Sequence, residues 1–337
     1  MTKPVPLVSI GMPVYNGEKY IEDALESLLA QDHPNIELVI SNNASTDRTA
    51  AICQEYAERY SHIKLISQPR NIGASGNFRA VVDAATGEYF MWAAHDDLWS
   101  PNYVSACVAV LQRHQRYALC ASTVHFIDES GSIVNRTFEN LDTTARSTPE
   151  SCAHILEQDF WCAIYGVMRI ESARRAPIER PSFGMDVAAL IHICMMGKLA
   201  CQPDCTFYYR LFSNKTPESM MEVFEPYRAT KIVYPWSEIA IESLSAAIRS
   251  NLSWLERIQC CYAILGSIIK SDSLIATQIH SEQLQRLFQS RELSSPTSAM
   301  ATMAVLCFRE PKLVFNKGAW SILGRSFRIR RSVGRMS

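Results

Sequence analysis

Two adjacent carboxylates, Asp96 and Asp97, are the residues whose type and position point most directly to chemistry. They follow an apolar run from Tyr89 to Ala93, which predicts a β-strand, and they precede Pro101, where a helix is expected to start. Open α/β sheets bind ligands beyond the carboxyl ends of their strands. Two hard oxygen ligands there suit Mg²⁺ or Mn²⁺ carrying a diphosphate. The alternative interpretation is an acidic cap on the helix, because Asp is a favoured cap residue.

The N-terminal part of the chain predicts the elements that would position this pair. An apolar run at 8–12 is followed by a loop with Pro and Gly, and residues 21–29 repeat apolar side chains at helical spacing. A second apolar run at 36–40 leads into a polar loop at 41–47 and a further helix. Alternating strands and helices predict βαβ units with a parallel sheet.

Five short motifs follow one another in this region. They are Pro13-Val14-Tyr15-Asn16, Ser41-Asn42-Asn43-Ala44-Ser45-Thr46-Asp47, Asn71-Ile72-Gly73, Gly87-Glu88-Tyr89 and His95-Asp96-Asp97. Together they resemble the family 2 glycosyltransferases of the GT-A fold, over roughly residues 5–215. The resemblance implies an α/β, Rossmann-like and mostly parallel sheet flanked by helices. It places the nucleotide-sugar-binding and catalytic domain at 1–217. Residues 218–337 would form an all-helical C-terminal extension, in which the sequence predicts helices at 227–249, 254–271, 280–291 and 299–308.

The resemblance also implies which residues bind the nucleotide-sugar donor. These are Pro13, Tyr15, Asn16, Asn42, Asn43, Asp47, Asn71, Gly73 and Asp96. Asp97 is implied as the ligand of Mn²⁺ or Mg²⁺. The family usually has an Asp where this chain reads Asn42-Asn43, and that carboxylate accepts a hydrogen bond from the base. Because Asn keeps a carbonyl acceptor but loses the charge, the identity of the base stays open, with UDP the default and dTDP sharing its imide edge.

Asp186 stands at the start of a predicted helix that Gly197 closes, with an apolar face formed by Val187, Leu190, Ile191 and Cys194. The corresponding Asp of the family is the general base that deprotonates the acceptor hydroxyl, and direct displacement then inverts the anomeric centre. Met185 replaces the Glu that usually precedes it. The alternative interpretation of a lone Asp at this position is a helix cap.

The acceptor is expected to be a glycan or a lipid-linked sugar bound between Asp159 and Ser182. Trp161, Tyr165 and Arg169 are the candidate contacts, although Trp161 is equally well interpreted as a core residue. The Gln-x-x-Arg-Trp motif of processive family members is absent, which favours the addition of a single sugar.

The composition is that of an ordinary globular protein, with 337 residues, 47% hydrophobic and 20% charged. The N-terminus enters the first strand without a signal-peptide pattern, so a cytoplasmic protein is expected. The formal net charge of −1 gives no reason to expect a nucleic-acid partner. A homo-oligomer is neither required nor ruled out.

The last 29 residues have a different charge balance from the rest of the chain. From Arg309 onward there are eight Lys or Arg and one acidic residue. On a helix most of these Arg would oppose an apolar side that includes Trp320 and Phe327, and such a segment can lie on an anionic membrane surface. A helix docked on its own domain is the alternative interpretation.

Three functions are compatible with these features. The first is a metal-dependent, inverting glycosyltransferase. The second is a catalytically degenerate nucleotide-sugar-binding protein, in which Asn42 and Met185 mark lost chemistry. The third is another α/β nucleotide enzyme, such as a dehydrogenase, which is disfavoured because the chain lacks Gly-x-Gly-x-x-Gly after the first strand and any Gly-x-x-x-x-Gly-Lys-Ser/Thr segment.

Overall fold

The computed structural model describes residues 4–138, 140–158, 160–176, 184–212 and 235–270. Nine strands in these ranges form one sheet. The strands are β1 (Val8–Val14), β2 (Ile36–Asn42), β3 (Ile63–Ser67), β4 (Tyr89–Trp92), β5 (Leu98–Trp99), β6 (Tyr117–Ile127), β7 (Ile133–Phe138), β8 (Val167–Arg169) and β9 (Lys198–Arg210). Their order across the sheet is β3-β2-β1-β4-β8-β6-β9-β5, with β7 paired to β6.

The helices of the described ranges flank this sheet and extend beyond it. They are α1 (Ile21–Leu29), α2 (Thr49–Arg59), α3 (Gly73–Ala84), α4 (Tyr103–Arg113), α5 (Thr148–Leu156), α6 (Ile170–Arg175), α7 (Met185–Met196), α8 (Pro235–Arg249) and α9 (Trp254–Lys270), together with a short 3-10 turn at Cys162–Tyr165. The α/β architecture with helices on the sheet agrees with the prediction.

The first half of the sheet is the parallel part. Strands β3, β2, β1 and β4 all run in the same direction, because each is connected to the next through a crossover helix. Alternate residues of β1, namely Val8, Ile10 and Met12, pack into one buried cluster with α1 and α2. On the other face α3 comes so close to β1 that a Cβ atom on Gly11 would lie 2.8 Å from Cγ2 of Val81. The chain therefore needs Gly at this crossing.

The second half of the sheet is mixed. Strand β8 runs antiparallel to both β4 and β6, and β5 runs antiparallel to β9, whereas β6 and β9 are parallel. The first four strands are therefore all parallel, whereas the second half combines one parallel pair with several antiparallel pairs. Strand β5 separates the acidic pair from the next helix, which begins at Tyr103 and not directly at Pro101.

Helix α7 is central to the second half. The sequence predicted one apolar face, but its buried residues lie all around the helix, because α5, α8 and the sheet enclose it. Side chains from α8 and α9, including Ile239 and Ile264, belong to the same buried cluster as Val187 and Leu190 of α7. The helices expected after residue 218 are thus present at 235–270, and they share the core of the catalytic half.

Several predictions concern residues outside the described ranges. The boundary at 217/218, the helices expected at 280–291 and 299–308, and the basic segment from Arg309 lie there. Among the residues that are described, none of the helices combines the length and the apolar character needed to cross a bilayer.

Candidate active site at the carboxyl ends of the strands

The loops after β1 and β2 are joined at the carboxyl edge of the sheet. The backbone N–H of Asn16 donates to Oγ of Ser45 at 3.0 Å, and the Asn16 side-chain oxygen accepts from the backbone N–H of Thr46 at 2.9 Å. Asn16 adopts a left-handed backbone conformation with a φ of 52°, which Asn tolerates better than most residues. Tyr15 beside it is 41% exposed, whereas Pro13 is buried within β1.

Asn43, Asn71 and Gly73 form one network between the β2 loop and α3. The Asn43 amide donates to Oδ1 of Asn71 at 2.7 Å and to the carbonyl of Gly73 at 3.3 Å, and its oxygen accepts from Ile72 N–H at 2.8 Å. Asn71 Oδ1 also accepts from Gly73 N–H at 2.9 Å. Since both polar atoms of the Asn43 side chain are engaged within the protein, Asn43 positions the loop that starts α3.

Asn42 and Asp47 lie at either end of the β2 loop. Asn42 is the last residue of β2, opposite Val14 of β1, and its Oδ1 accepts from Ser45 N–H at 3.2 Å. Asp47 accepts from Thr49 N–H at 3.0 Å and from Glu18 N–H at 3.2 Å. Burial acts to raise the pKa of Asp47, but these hydrogen bonds outweigh it and lower the pKa. Asp47 thus connects the loops after β1 and β2 through hydrogen bonds to its carboxylate.

The two acidic residues after β4 differ in their surroundings. Asp97 is only 2% exposed, and its Oδ1 accepts from the backbone N–H of Arg210 at 2.8 Å. Asp96 is partly exposed, and it is its backbone carbonyl, not its carboxylate, that accepts from Nε of Arg210 at 2.8 Å. One oxygen of Asp97 is thus bonded to the end of β9, and the assignment of Asp97 as the metal ligand stays a prediction. Asp96 is the more exposed of the two residues.

Arg210 holds this acidic segment in place. Its guanidinium is buried, donates to the carbonyls of Asp128 at 3.1 Å and Glu129 at 3.4 Å, and lies 4.5 Å from the ring centroid of Tyr20. No role was predicted for Arg210 itself, although Tyr208-Tyr209-Arg210 resembles what the family tends to show after its last catalytic-domain strand. A further signal is its position at the end of an apolar strand, where a buried Arg needs acceptors.

Asp186 lies in the first turn of α7, as predicted. Its Oδ1 accepts from Val187 N–H at 2.9 Å, and burial raises the pKa of its carboxyl above the ordinary Asp value. The charges of Asp96, Asp97 and Asp186 all act on Tyr165 and Tyr209, whose pKa values are raised mainly by burial and further by these carboxylates. The acidic segment and Asp186 therefore lie near the same two tyrosines, which are half-buried.

The three candidate acceptor contacts are placed differently. Tyr165 is half-buried, and burial together with the charges of Asp96, Asp97 and Asp186 raises its pKa. Trp161 packs against the core, and its indole N–H donates to the carbonyl of Ile155 at 2.9 Å, as in the core interpretation. Arg169 pairs with Tyr89 at the opposite end of β4, and its guanidinium donates to the carbonyls of Tyr117 and Leu111. The structure does not bring Arg169 to the site.

The site contains little to hold a metal ion by itself. Within the part of the chain that the structure describes, no group of three or more His, Cys, Asp or Glu side chains could hold a metal ion. Mg²⁺ and Mn²⁺ are commonly bound by one or two carboxylates together with substrate phosphates. The donor set at Asp96 fits a cation that arrives with a diphosphate and does not fit a preformed metal cage.

Comparison with known proteins supports the resemblance. Residues 9–168 match the family model described as glycosyl transferase family 2. An uncharacterized glycosyltransferase of Rickettsia typhi is 36% identical over 108 residues, which are 32% of this chain and 33% of that protein. EpsE of Bacillus subtilis, whose name describes it as a glycosyltransferase, is 35% identical over 127 residues, or 37% of this chain and 46% of EpsE. The matches thus span less than half of these relatives.

Solved structures share the fold over most of the chain. The structure of S. aureus TarS 1–349 in complex with UDP-GlcNAc covers 92% of both chains, with a TM-score of 0.59 and 16% identity. The mannosyltransferase PcManGT from Pyrobaculum calidifontis, in complex with GDP-Man and Mn²⁺, covers 97% of this chain and 87% of its own, with a TM-score of 0.55 and 16% identity. At these identities the likeness concerns the fold. The sequence match over residues 9–168 is thus to a glycosyl transferase family 2 domain, and the likeness of fold extends over most of the chain.

Proposed function

We propose that this protein is an inverting glycosyltransferase that moves one sugar from a nucleotide-sugar to a hydroxyl of a glycan or lipid-linked acceptor. The observation that carries the proposal is the pair of carboxylates in one site. Asp186 has a raised pKa, and Asp96 lies directly beyond the end of β4, where it is partly exposed. A base with a raised pKa accepts a proton more readily, and a second carboxylate suits the cation of a diphosphate.

The donor nucleotide would occupy the crevice between the ends of β1, β2 and β4. The strand order reverses between β1 and β4, and ligands of open α/β sheets bind at such a reversal. Tyr15, Asn16 and Asn42 line the nucleotide side in this proposal, while Asn43, Asp47, Asn71 and Gly73 hold their loops. The resemblance by itself implies UDP, with dTDP sharing the same imide edge. TarS and PcManGT are described in complex with UDP-GlcNAc and GDP-Man, which supports a nucleotide-sugar donor here.

The chemistry follows from the charges in the site. Cleavage of the bond between the sugar and the diphosphate leaves negative charge on the leaving group. A bound Mn²⁺ or Mg²⁺, held by Asp96 and the diphosphate, would stabilise that charge. Asp186 would take the proton from the acceptor hydroxyl as the hydroxyl oxygen attacks the sugar. Tyr165 and Tyr209, which are half-buried and whose pKa values are raised by burial and further by the charges of these carboxylates, would help to exclude water around the reacting groups.

The experiment that tests this proposal compares Asp96 with its neighbour. The full-length protein is screened by thermal shift against nucleotide-sugars with and without Mn²⁺, since a ligand that binds only the native state raises the melting temperature. We expect a metal-dependent shift in the wild type, its loss in Asp96→Asn, and a lowered melting temperature without ligand in Asp97→Asn. Asp83→Asn is the matched control, because Asp83 is exposed and pairs with Arg79 along α3. A metal-dependent shift that persists in Asp96→Asn would remove Asp96 from the donor site.

Turnover separates an enzyme from a degenerate binding protein. A nucleotide-sugar that gives a metal-dependent shift is incubated with the protein and Mn²⁺, and released nucleotide is measured. Release above the rate of the Asp186→Asn variant supports catalysis. Binding without any release, with acceptors supplied, would favour the binding protein.

A further inference from the structure

The orientation of the Asn42 side chain is set by the protein itself. A backbone N–H can only donate, and Ser45 N–H points at the Asn42 side chain at 3.2 Å. The atom that faces Ser45 must therefore be the amide oxygen, since the opposite orientation would place two donors against each other. The acceptor of Asn42 is thus already engaged within its own loop.

The amide nitrogen, Nδ2, is the polar atom of Asn42 that remains available to a ligand. Nδ2 makes no hydrogen bond among the described residues, and it is not one of the buried atoms that lack a partner. The residue is only 5% exposed, so the accessible part of Asn42 is small and consists of a donor. An Asp at this position would accept from Ser45 with one oxygen and still offer a second acceptor.

The loop keeps this orientation. Ala44 is held in a left-handed conformation with a φ of 57°, which non-glycine residues adopt only when their surroundings enforce it. Ser45 is bonded on its other side, since its hydroxyl accepts from Asn16 N–H at 3.0 Å, and Thr46 N–H donates to Asn16 at 2.9 Å. These bonds hold the loop in place. A rotation of the Asn42 amide would therefore break its hydrogen bond with Ser45 N–H, and no shift of the loop would compensate for the loss.

We infer that Asn42 donates a hydrogen bond to an acceptor on the base of the nucleotide-sugar. This base therefore has a ring-nitrogen acceptor, as at N3 of cytosine, and not the imide N3–H of uracil or thymine. This inference rests on the proposed function, because it assumes that the base lies at the end of β2. Opposite an imide N3–H, the amide would set donor against donor. Opposite cytosine N3, which carries a lone pair, it forms a hydrogen bond.

The test is the ratio of the dissociation constants for CDP and UDP, measured by calorimetry on the full-length protein with Mg²⁺. We expect CDP to bind about tenfold more tightly than UDP, the scale of one buried hydrogen bond made or left unmade. In Asn42→Asp the ratio should reverse in favour of UDP, because the carboxylate accepts from the imide. The two ligands share the same diphosphate, so repulsion by the new charge cancels in the ratio.

Asn42→Leu provides the neutral control. It has a similar shape with neither donor nor acceptor, and we expect a ratio near one. Equal or tighter binding of UDP by the wild type overturns the inference, even if both substitutions prevent folding, and leaves the proposed function intact. Failure of the wild type to bind any nucleoside diphosphate overturns the proposed function and the inference together.

Discussion

Two carboxylates of this protein, Glu37 and Asp186, have pKa values that are shifted in opposite directions. Glu37, near the start of β2, accepts from the hydroxyl of Ser9, from Thr86 N–H at 2.6 Å and from Thr86 Oγ1 at 2.8 Å. Burial acts to raise its pKa, but these bonds outweigh burial and lower the pKa. Asp186, in the first turn of α7, accepts from Val187 N–H at 2.9 Å, and burial outweighs its backbone hydrogen bonds and raises its pKa.

The difference distinguishes Glu37, a carboxylate that stabilises the fold, from Asp186, the carboxylate proposed to act as the general base. Glu37 joins β1, β2 and the turn before β4, and its hydrogen bonds stabilise the ionised form. Asp186 has less to stabilise its charge, so it gains more from accepting a proton. Residue type does not distinguish the two, but the number of donors around each carboxylate does.

The largest effect that would test this comparison is on turnover. Asp186→Asn preserves shape but removes the proton acceptor, so we expect turnover to fall by about 10² to 10⁴, the usual contribution of positioned acid–base catalysis. Donor affinity in calorimetry should hardly change. Steady-state kinetics should place the loss in kcat and kcat/KM together. Near-normal turnover by a folded variant would assign Asp186 to capping α7 only.

The pH dependence of the rate should follow the raised pKa of Asp186. A general base is active when deprotonated, so kcat/KM should fall about tenfold per pH unit below that pKa. Because the pKa is raised, the fall should begin above the ordinary Asp value of about 3.9. The measurement is a pH profile of kcat/KM for the wild type and Glu37→Gln. If the acidic limb moves in Glu37→Gln, the two carboxylates are not independent.

A smaller effect is expected on stability when Glu37 is replaced. Glu37→Gln replaces a carboxylate that accepts several hydrogen bonds by a neutral amide. We expect a loss of about 1–3 kcal/mol in the free energy of unfolding, with kcat unchanged. A lowered pKa in the folded state contributes stability above the unfolded pKa, and this contribution is lost as pH falls through the folded pKa. Urea unfolding at pH 7 and at acidic pH should therefore show the variant's deficit shrinking in acid. A deficit that grows in acid would contradict the lowered pKa.

The smallest effect concerns Trp161. Trp161→Phe removes the indole bond to the Ile155 carbonyl, so we expect a loss of about 0.5–1.5 kcal/mol in stability and an unchanged KM for the acceptor. Thermal unfolding and acceptor kinetics check both. A raised KM for the acceptor in a stable Trp161→Phe protein would return Trp161 to the acceptor site.

Much of the fold was predictable because its signals are local. The apolar runs at 8–12 and 36–40 lie in β1 and β2, and Gly197 follows the last residue of α7. The interpretation of α7 as a one-faced helix was wrong because a local apolar pattern does not tell how many elements surround a helix. Its enclosure depends on α8, which comes about fifty residues later.

The sequence by itself determined the order of strands and helices, and it placed the polar motifs at strand ends, because periodicity and turn residues act over a few positions. Only the tertiary structure decided which of two adjacent aspartates is buried, since the N–H that binds Asp97 belongs to Arg210, 113 residues away. It likewise decided the direction of the Asn42 amide, because the loop conformation fixes Ser45 N–H against it. The strand pairing of β8 with β4 placed Arg169 at the far edge. Exposure and hydrogen-bond direction depend on partners that folding brings together, and residue type alone does not specify them.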